Sequence, residues 1–213
     1  MAVKLPDGST LALANSYATA VTVTAVSNAT TAVCTAAAHG LTTGSFVEIT
    51  SGWSGLNARV FKVGVTTTTT FELAGVDTSD TVKYPAGGGI GSVRGVLAWT
   101  QIQQILDFST SGGEQKFVEY EFLEDDFGRQ MPGTFSAQSL SIGIADDPTL
   151  PGYIALKTAS DARTIRVMRL SLRDGTNILY NGYVSLNETP STTKGQVMQV
   201  KASLALCSKP VRA

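Results

Sequence analysis

The chain has 213 residues, a mass of 22.3 kDa and a formal net charge of −1, with 43% hydrophobic and only 15% charged residues. That balance excludes a global positive field drawing the chain to nucleic acid or to anionic lipid, and no stretch approaches the ~18 apolar residues of a membrane-spanning helix. Charge lies well under the roughly 25% of average soluble chains, and the abundance of Thr, Ser, Ala, Val and Gly is the palette of a β-rich protein with neutral contact surfaces.

The length admits one large or two small domains, and the pattern along the chain favours two. The N-terminus, "MAVKLPDGST", lacks an apolar signal region, so the expected site of synthesis and early residence is a cytoplasm. Residues 1 to about 25 hold one apolar, β-branched strand candidate, Ala18 to Val26. From Asn28 to about Gly91 the texture changes to three short runs, "FVEIT", "RVFKVGV" and "TFELAGV", separated by "SGWSGLN" and "TTTT". Short strands with turn chemistry at close spacing predict a small all-β module, and the glycines of "YPAGGGIGS" read as a flexible return to the main body.

After Val93 the predicted strands lengthen. "GVLAWTQIQQIL" is read as a strand, followed by Lys116 to Glu124, Ala137 to Ala145, Thr164 to Arg173, Asn177 to Asn187 and Gln196 to Cys207. These runs carry period-two apolar positions, such as Leu140, Ile142 and Ile144. "RDGTN" reads as a hairpin turn. One helix is signalled in "DDPTLPGYIALKTASDA", with an aspartate at the N-cap, Pro148 at N1 and Pro151 still inside the first turn. Its expected apolar stripe is Leu150, Ile154 and Ala155. Cys34 and Cys207 are read as two buried, reduced thiols rather than a disulfide.

Charge is segregated along the chain. Between Glu114 and Gln130 six acids (Glu114, Glu119, Glu121, Glu124, Asp125, Asp126) face two bases (Lys116, Arg129), a local net of −4, whereas from Lys157 onward nine bases face three acids, a net of +6. In "KFVEYEFLE" Val118, Tyr120 and Phe122 point one way, toward a core, and Phe117, Glu119, Glu121 and Leu123 the other. Two readings stand. One is a solvated hairpin edge guarded against aggregation by its charges; in the other, the acidic loop docks on a basic surface of a second copy while the strand's carboxylates line a channel and deny a polyanion places to stick.

Enzyme chemistry finds no support. The single histidine, His39, sits in the turn-like "AAAHGLTTG" and is read as a residue bonding to local backbone. No GxSxG, P-loop, CxxC or HExxH occurs, "GGGIG" opens no helix, and the adjacent Glu124, Asp125 and Asp126 are read as solvated rather than metal-binding. No cofactor and no metal are expected.

Three segments carry a likeness: "STSGGEQKFVEYEFLEDDFGRQMPG", "ADDPTLPGYIALKTA" and "LYNGYVSLNETPSTTKGQVMQVKASLALCSKP". Together they resemble the major tail tube proteins of long, non-contractile-tailed bacteriophages. The short module, through "TAAAHGLTTGSFVEIT" and "GLNARVFKV", resembles a small β domain inserted in phage tail proteins. The resemblance implies a mainly β fold, a tail-tube-type sandwich or half-barrel with one flanking helix (residues 1–27 and 92–213), plus a small inserted β domain (28–91) on the tube exterior. It implies hexameric rings stacked into a tube, with DNA passing through the lumen without specific binding. It further implies tail terminator, tail-tip and tape-measure partners, no membrane insertion, and residence in the virion tail after assembly in the host cytoplasm. Glu119 and Glu121 are expected to line the lumen. Glu124, Asp125, Asp126, Phe127, Arg129 and Gln130 are expected to form an inter-ring loop, and the N- and C-terminal segments are expected to reach adjacent rings. A tail-tip or fibre-type receptor-binding component is the alternative.

Overall fold

A computed structural model describes residues 7–213. The chain is mainly β, with a curled half-barrel sheet and one α-helix among the described residues. The strands β1 (Thr10–Tyr17), β2 (Val21–Val23), β3 (Ala25–Val26), β4 (Val33–Thr35), β5 (Phe46–Ser51), β6 (Arg59–Thr66) and β7 (Thr70–Leu73) precede the long β8 (Gly91–Ile102). After it come β9 (Ile105–Gly112), β10 (Gln115–Tyr120), β11 (Arg129–Phe135), β12 (Gln138–Ala145), α1 (Pro151–Ala162), β13 (Ile165–Ser171), β14 (Asn177–Ser191), β15 (Gln199–Leu206) and β16 (Val211–Arg212). Fourteen strands join one sheet in the order β3-β4-β7-β6-β5-β8-β1-β13-β14-β15-β12-β9, with β2 also on β8 and β16 on β14, while β10 and β11 pair only with each other.

β8 belongs to two neighbourhoods. Its first half, Gly91 to Gly95, pairs antiparallel with Ser51 to Val47 of β5, and its second half, Val96 to Ile102, with Tyr17 to Leu11 of β1. One apolar core gathers Leu11, Leu13, Leu140, Ile142, Met168 and Leu204 beneath α1, and a second gathers Val23, Val47, Trp53, Phe61, Phe71 and Tyr84. A third, smaller cluster of Ala14, Phe46, Val60, Val167 and Leu179 fills the junction.

The junction also carries a polar clamp. The Arg94 guanidinium pairs with Glu48 at 2.6 Å, and the Asn181 amide donates to Glu48 Oε1 at 3.1 Å and to the Ala58 carbonyl at 2.9 Å. Ser208 Oγ donates to the same Ala58 carbonyl at 2.8 Å. Arg94 lies over the Tyr17 ring at 4.2 Å, and Arg169 over Trp99 at 4.5 Å, placing cations on aromatic faces where they retain attraction without full hydration.

Several expectations need correction. β1 lies where no strand was expected, and the predicted strand at Ala18 to Val26 resolves into the short β2 and β3. Leu11 through Ala14 are all buried, so covering of both sheet faces removes the alternation that marks a half-exposed strand. The helix begins at Pro151, not near Pro148, because the Asp147 carboxylate is engaged in a local turn. Thr149 donates to its Oδ1 from backbone N (3.0 Å) and from Oγ1 (2.6 Å), bonds that also hold the Asp147 carboxyl below its usual range. The buried face of α1 is Gly152, Tyr153, Leu156 and Ala159, with Ile154 exposed. A Cβ on Gly152 would stand 2.7 Å from the Gln101 carbonyl oxygen and 2.8 Å from Ile102 Cα, so glycine permits the close seat of α1 on β8.

The glycines near residue 88 pack rather than flex. Trp53 Nε1 donates to the Pro85 carbonyl at 2.9 Å, and a Cβ on Gly88 would meet that same nitrogen at 2.9 Å. Cys34 is buried as expected, but Cys207 is exposed; neither is in a disulfide. The C-terminal segment pairs within its own chain: Leu179 stands opposite Val211, and Asn177 and Ala213 exchange two backbone hydrogen bonds of 2.7 and 2.8 Å. Residues 1–6, part of the N-terminal segment expected to reach outward, lie outside the described residues.

Candidate functional site

β10 and β11 form a hairpin that continues the chain path of β9 and β12 beyond the sheet. Its base is set by Gly112 and Gly113, both with left-handed φ (74° and 81°), and by Ser136, whose backbone N–H donates to the Glu114 carbonyl at 2.9 Å while its Oγ accepts from the Glu114 N–H at 3.1 Å. A Cβ on Gly112 would collide with the Ala137 carbonyl, so the chain leaves the sheet here on a residue that only glycine satisfies. The register places Val118 opposite Met131, Glu119 opposite Gln130 and Tyr120 opposite Arg129.

Glu119, Glu121, Phe127, Arg129 and Gln130 come together around one cleft of ≈ 790 Å³, with Tyr120 and Gly128. Gln130 Nε2 donates to Glu119 Oε1 at 2.8 Å, fixing that carboxylate across the ladder. Glu121 lies one residue past the end of β10. The acidic triplet divides: Asp125 is paired with Arg129 at 3.2 Å and its backbone N–H caps the Phe122 carbonyl at 2.9 Å, whereas Glu124 and Asp126 have no partner among the described residues. Arg129 is therefore paired with the loop's own acid while its side chain stays exposed.

The strand does not bury one face. Phe117, Val118, Phe122, Leu123, Phe127, Met131 and Phe135 are all exposed, Leu123 completely and Phe127 at 78%. The expectation that Val118, Tyr120 and Phe122 join a core fails because no described element of the chain lies over the hairpin; Tyr120 instead meets Phe122 edge-on at 5.6 Å between ring centroids. Near the base, Lys209 Nζ sits 3.0 Å from the centre of the Phe135 ring. An isolated two-stranded hairpin with apolar residues on both faces is marginal in water.

The second feature is β9. It ends the sheet order, so the outer backbone edge of Ile105 to Gly112 has no strand partner among the described residues. Sequence reading passed over this strand because "DFSTSG" is small and polar; its signal was Ile105 and Phe108, which pack partly against the main core. An eight-residue open edge is an invitation to pair with another chain unless something covers it. His39, by contrast, is internal to its turn: its Nδ1 accepts from the Leu41 N–H at 3.0 Å and its ring meets Phe71 edge-on at 5.3 Å.

A family model described as phage tail tube protein matches residues 51–213. Among curated proteins none matches the chain. Among solved structures, a chain from the cryo-electron microscopy structure of the anti-feeding prophage baseplate, six-fold symmetrised, is similar at 11% identity and a TM-score of 0.39, over 55% of this chain and 85% of that one.

Proposed function

Because the chain belongs to the phage tail tube protein family, structural components of the virion tail, we propose that its copies close into hexameric rings that stack into the tube through which DNA passes into the host. The observation that carries this reading is the open edge of β9, continued by a hairpin whose apolar side chains stay exposed among the described residues. In a ring of identical copies the open edge of β9 meets a neighbour, and closure leaves that edge covered in every copy.

In this arrangement residues 28–91 form an inserted domain on the tube exterior, since six extra modules in the lumen would block it. Glu119 and Glu121 face the lumen, where carboxylates repel phosphates and leave no cationic footholds. Glu124, Asp125, Asp126, Phe127, Arg129 and Gln130 form the loop that meets the adjacent ring. The tube is assembled in the host cytoplasm with a tail terminator, tail-tip and tape-measure proteins, each meeting a ring end or the lumen. The chain contributes no catalysis.

Negative-stain microscopy of the purified protein over a range of concentration and salt tests the reading. Rings or tubes of uniform diameter are expected. Monomers alone at every condition, even with tape-measure and terminator partners supplied, would overturn it.

A further inference from the structure

The hairpin and the turn between β14 and β15 sit at opposite ends of the same strands. Gln138 of β12 and Leu206 of β15 lie beside the hairpin base, whereas Ala145 of β12 pairs with Gln199 of β15 at the far end, where Asp146 N–H donates to the Met198 carbonyl at 3.0 Å. At that far end Val197 and Met198 are exposed, and the segment Ser191 to Lys201 contains Lys194 and Lys201 and no acid. At the near end, Phe122, Leu123 and Phe127 are exposed beside the unpartnered Glu124 and Asp126.

The geometry points to a head-to-tail contact between copies in successive rings: Phe122, Leu123 and Phe127 of one copy seat on Val197 and Met198 of a second copy, with Lys194 meeting Glu124 and Asp126. This inference rests on the ring-and-tube reading and names the surface that receives the loop. Pairing like ends instead would oppose Glu124 and Asp126 to their own copies, or Lys194 to Lys194, and would end growth at a pair. Only the unlike pairing buries both apolar patches while matching charge, and because the two patches lie at opposite ends it repeats without closing on itself. Glu188, three residues before this segment on β14, is already paired with Lys157, and Asp146 and Asp147 lie on the β12 side of the turn, where the Asp147 carboxylate accepts from Thr149.

The test is disulfide trapping in a C207S background. L123C and V197C are introduced into one chain, tubes are assembled and oxidised, and the product is run without reductant. A ladder of covalent multimers is expected from L123C/V197C and none from L123C/V82C, whose second cysteine lies on an exposed turn between β7 and β8, outside both patches. Tubes without a ladder, or an equal ladder from the V82C pair, would overturn the contact while leaving the tube reading standing. Absence of any ring or tube from the unaltered chain would overturn both. V197D/M198D supplies an independent readout: rings persist but tube yield falls at least about tenfold, and normal tube yield from that variant would reject the contact.

Discussion

Asn181 donates a hydrogen bond to Glu48, 133 residues away in sequence, at 3.1 Å, and the same amide nitrogen also reaches the Ala58 carbonyl. Because both partners are acceptors, the amide can sit only with its NH2 group toward them. Arg94 balances the Glu48 charge from the other side. The β5–β6 part of the sheet is thus fastened to the β13–β14 part by directional contacts as well as through the shared strand β8.

Asn181→Ala removes both bonds while leaving Glu48 and Ala58 in place. The loss is expected to cost about 2 kcal/mol and to lower the thermal midpoint by about 4–8 °C, read by calorimetry. A midpoint unchanged within error would mean that the clamp adds nothing to the apolar junction.

Replacing Glu124, Asp125 and Asp126 together with Lys is expected to leave rings and abolish stacking. The change reverses the charge of the loop and strips Arg129 of its partner, and like charges at a repeated contact cost several kcal/mol. Sedimentation and microscopy of the triple variant decide the matter: full-length tubes from it would remove the loop from the inter-ring contact.

Glu119→Lys with Glu121→Lys addresses the lumen. Both side chains border one cleft, and only Glu119 is fixed, by Gln130. Tubes are expected to form, and DNA release from assembled virions to slow as phosphates find cationic contacts, most clearly at low salt. Release kinetics equal to those of the unaltered tail would take these two residues off the lumen wall.

The cysteines separate by burial. Burial pushes the Cys34 thiol up to about 12 from its ordinary 9.0, and burial, with Glu48 nearby, also raises Cys207. One thiol, Cys207, should react with Ellman's reagent in the folded protein, and two after denaturation. Above pH 9 the unfolded chain releases a proton that folded Cys34 retains. Stability from this group is therefore complete below pH 9 and falls by up to about 1.4 kcal/mol per pH unit toward pH 12. Two thiols titrating at equal rates in the native state would contradict the burial of Cys34.

The elements legible in the sequence are those bounded by turn residues and rich in β-branched or aromatic side chains. "FVEIT", "RVFKVGV" and the runs holding Leu140 to Ile144 and Ile178 to Leu186 all fall on strands. β1 was hidden because its Leu-Ala-Leu-Ala run, buried on both faces, has neither alternation nor β-branched residues to mark it, and of the expected α1 stripe Leu150 and Ala155 pack against the core while Ile154 faces out, because Pro148, Pro151 and Asp147 offered two rival starts. At the site, the carboxylates and the loop were readable as a charge cluster, but the pairing of Arg129 with Asp125 is set by the loop's turn, and the exposure of Phe122 and Leu123 depends on what lies over the hairpin. Alternation says that a strand has two faces; it does not say whether either is covered. The Glu48–Asn181 bond was beyond reach for another reason, since no local pattern signals a partner so distant in the chain.

The two left-handed glycines at the hairpin base also bear on the mechanics of a whole tail. If the loop grips the next ring while Gly112 and Gly113 join it to its own, the joint between rings runs through backbone packed against Ala137 and Gln138 too closely to take a side chain. Such a joint would pass bending from one disc to the next, so that the conduit flexes as one rod while its bore stays round.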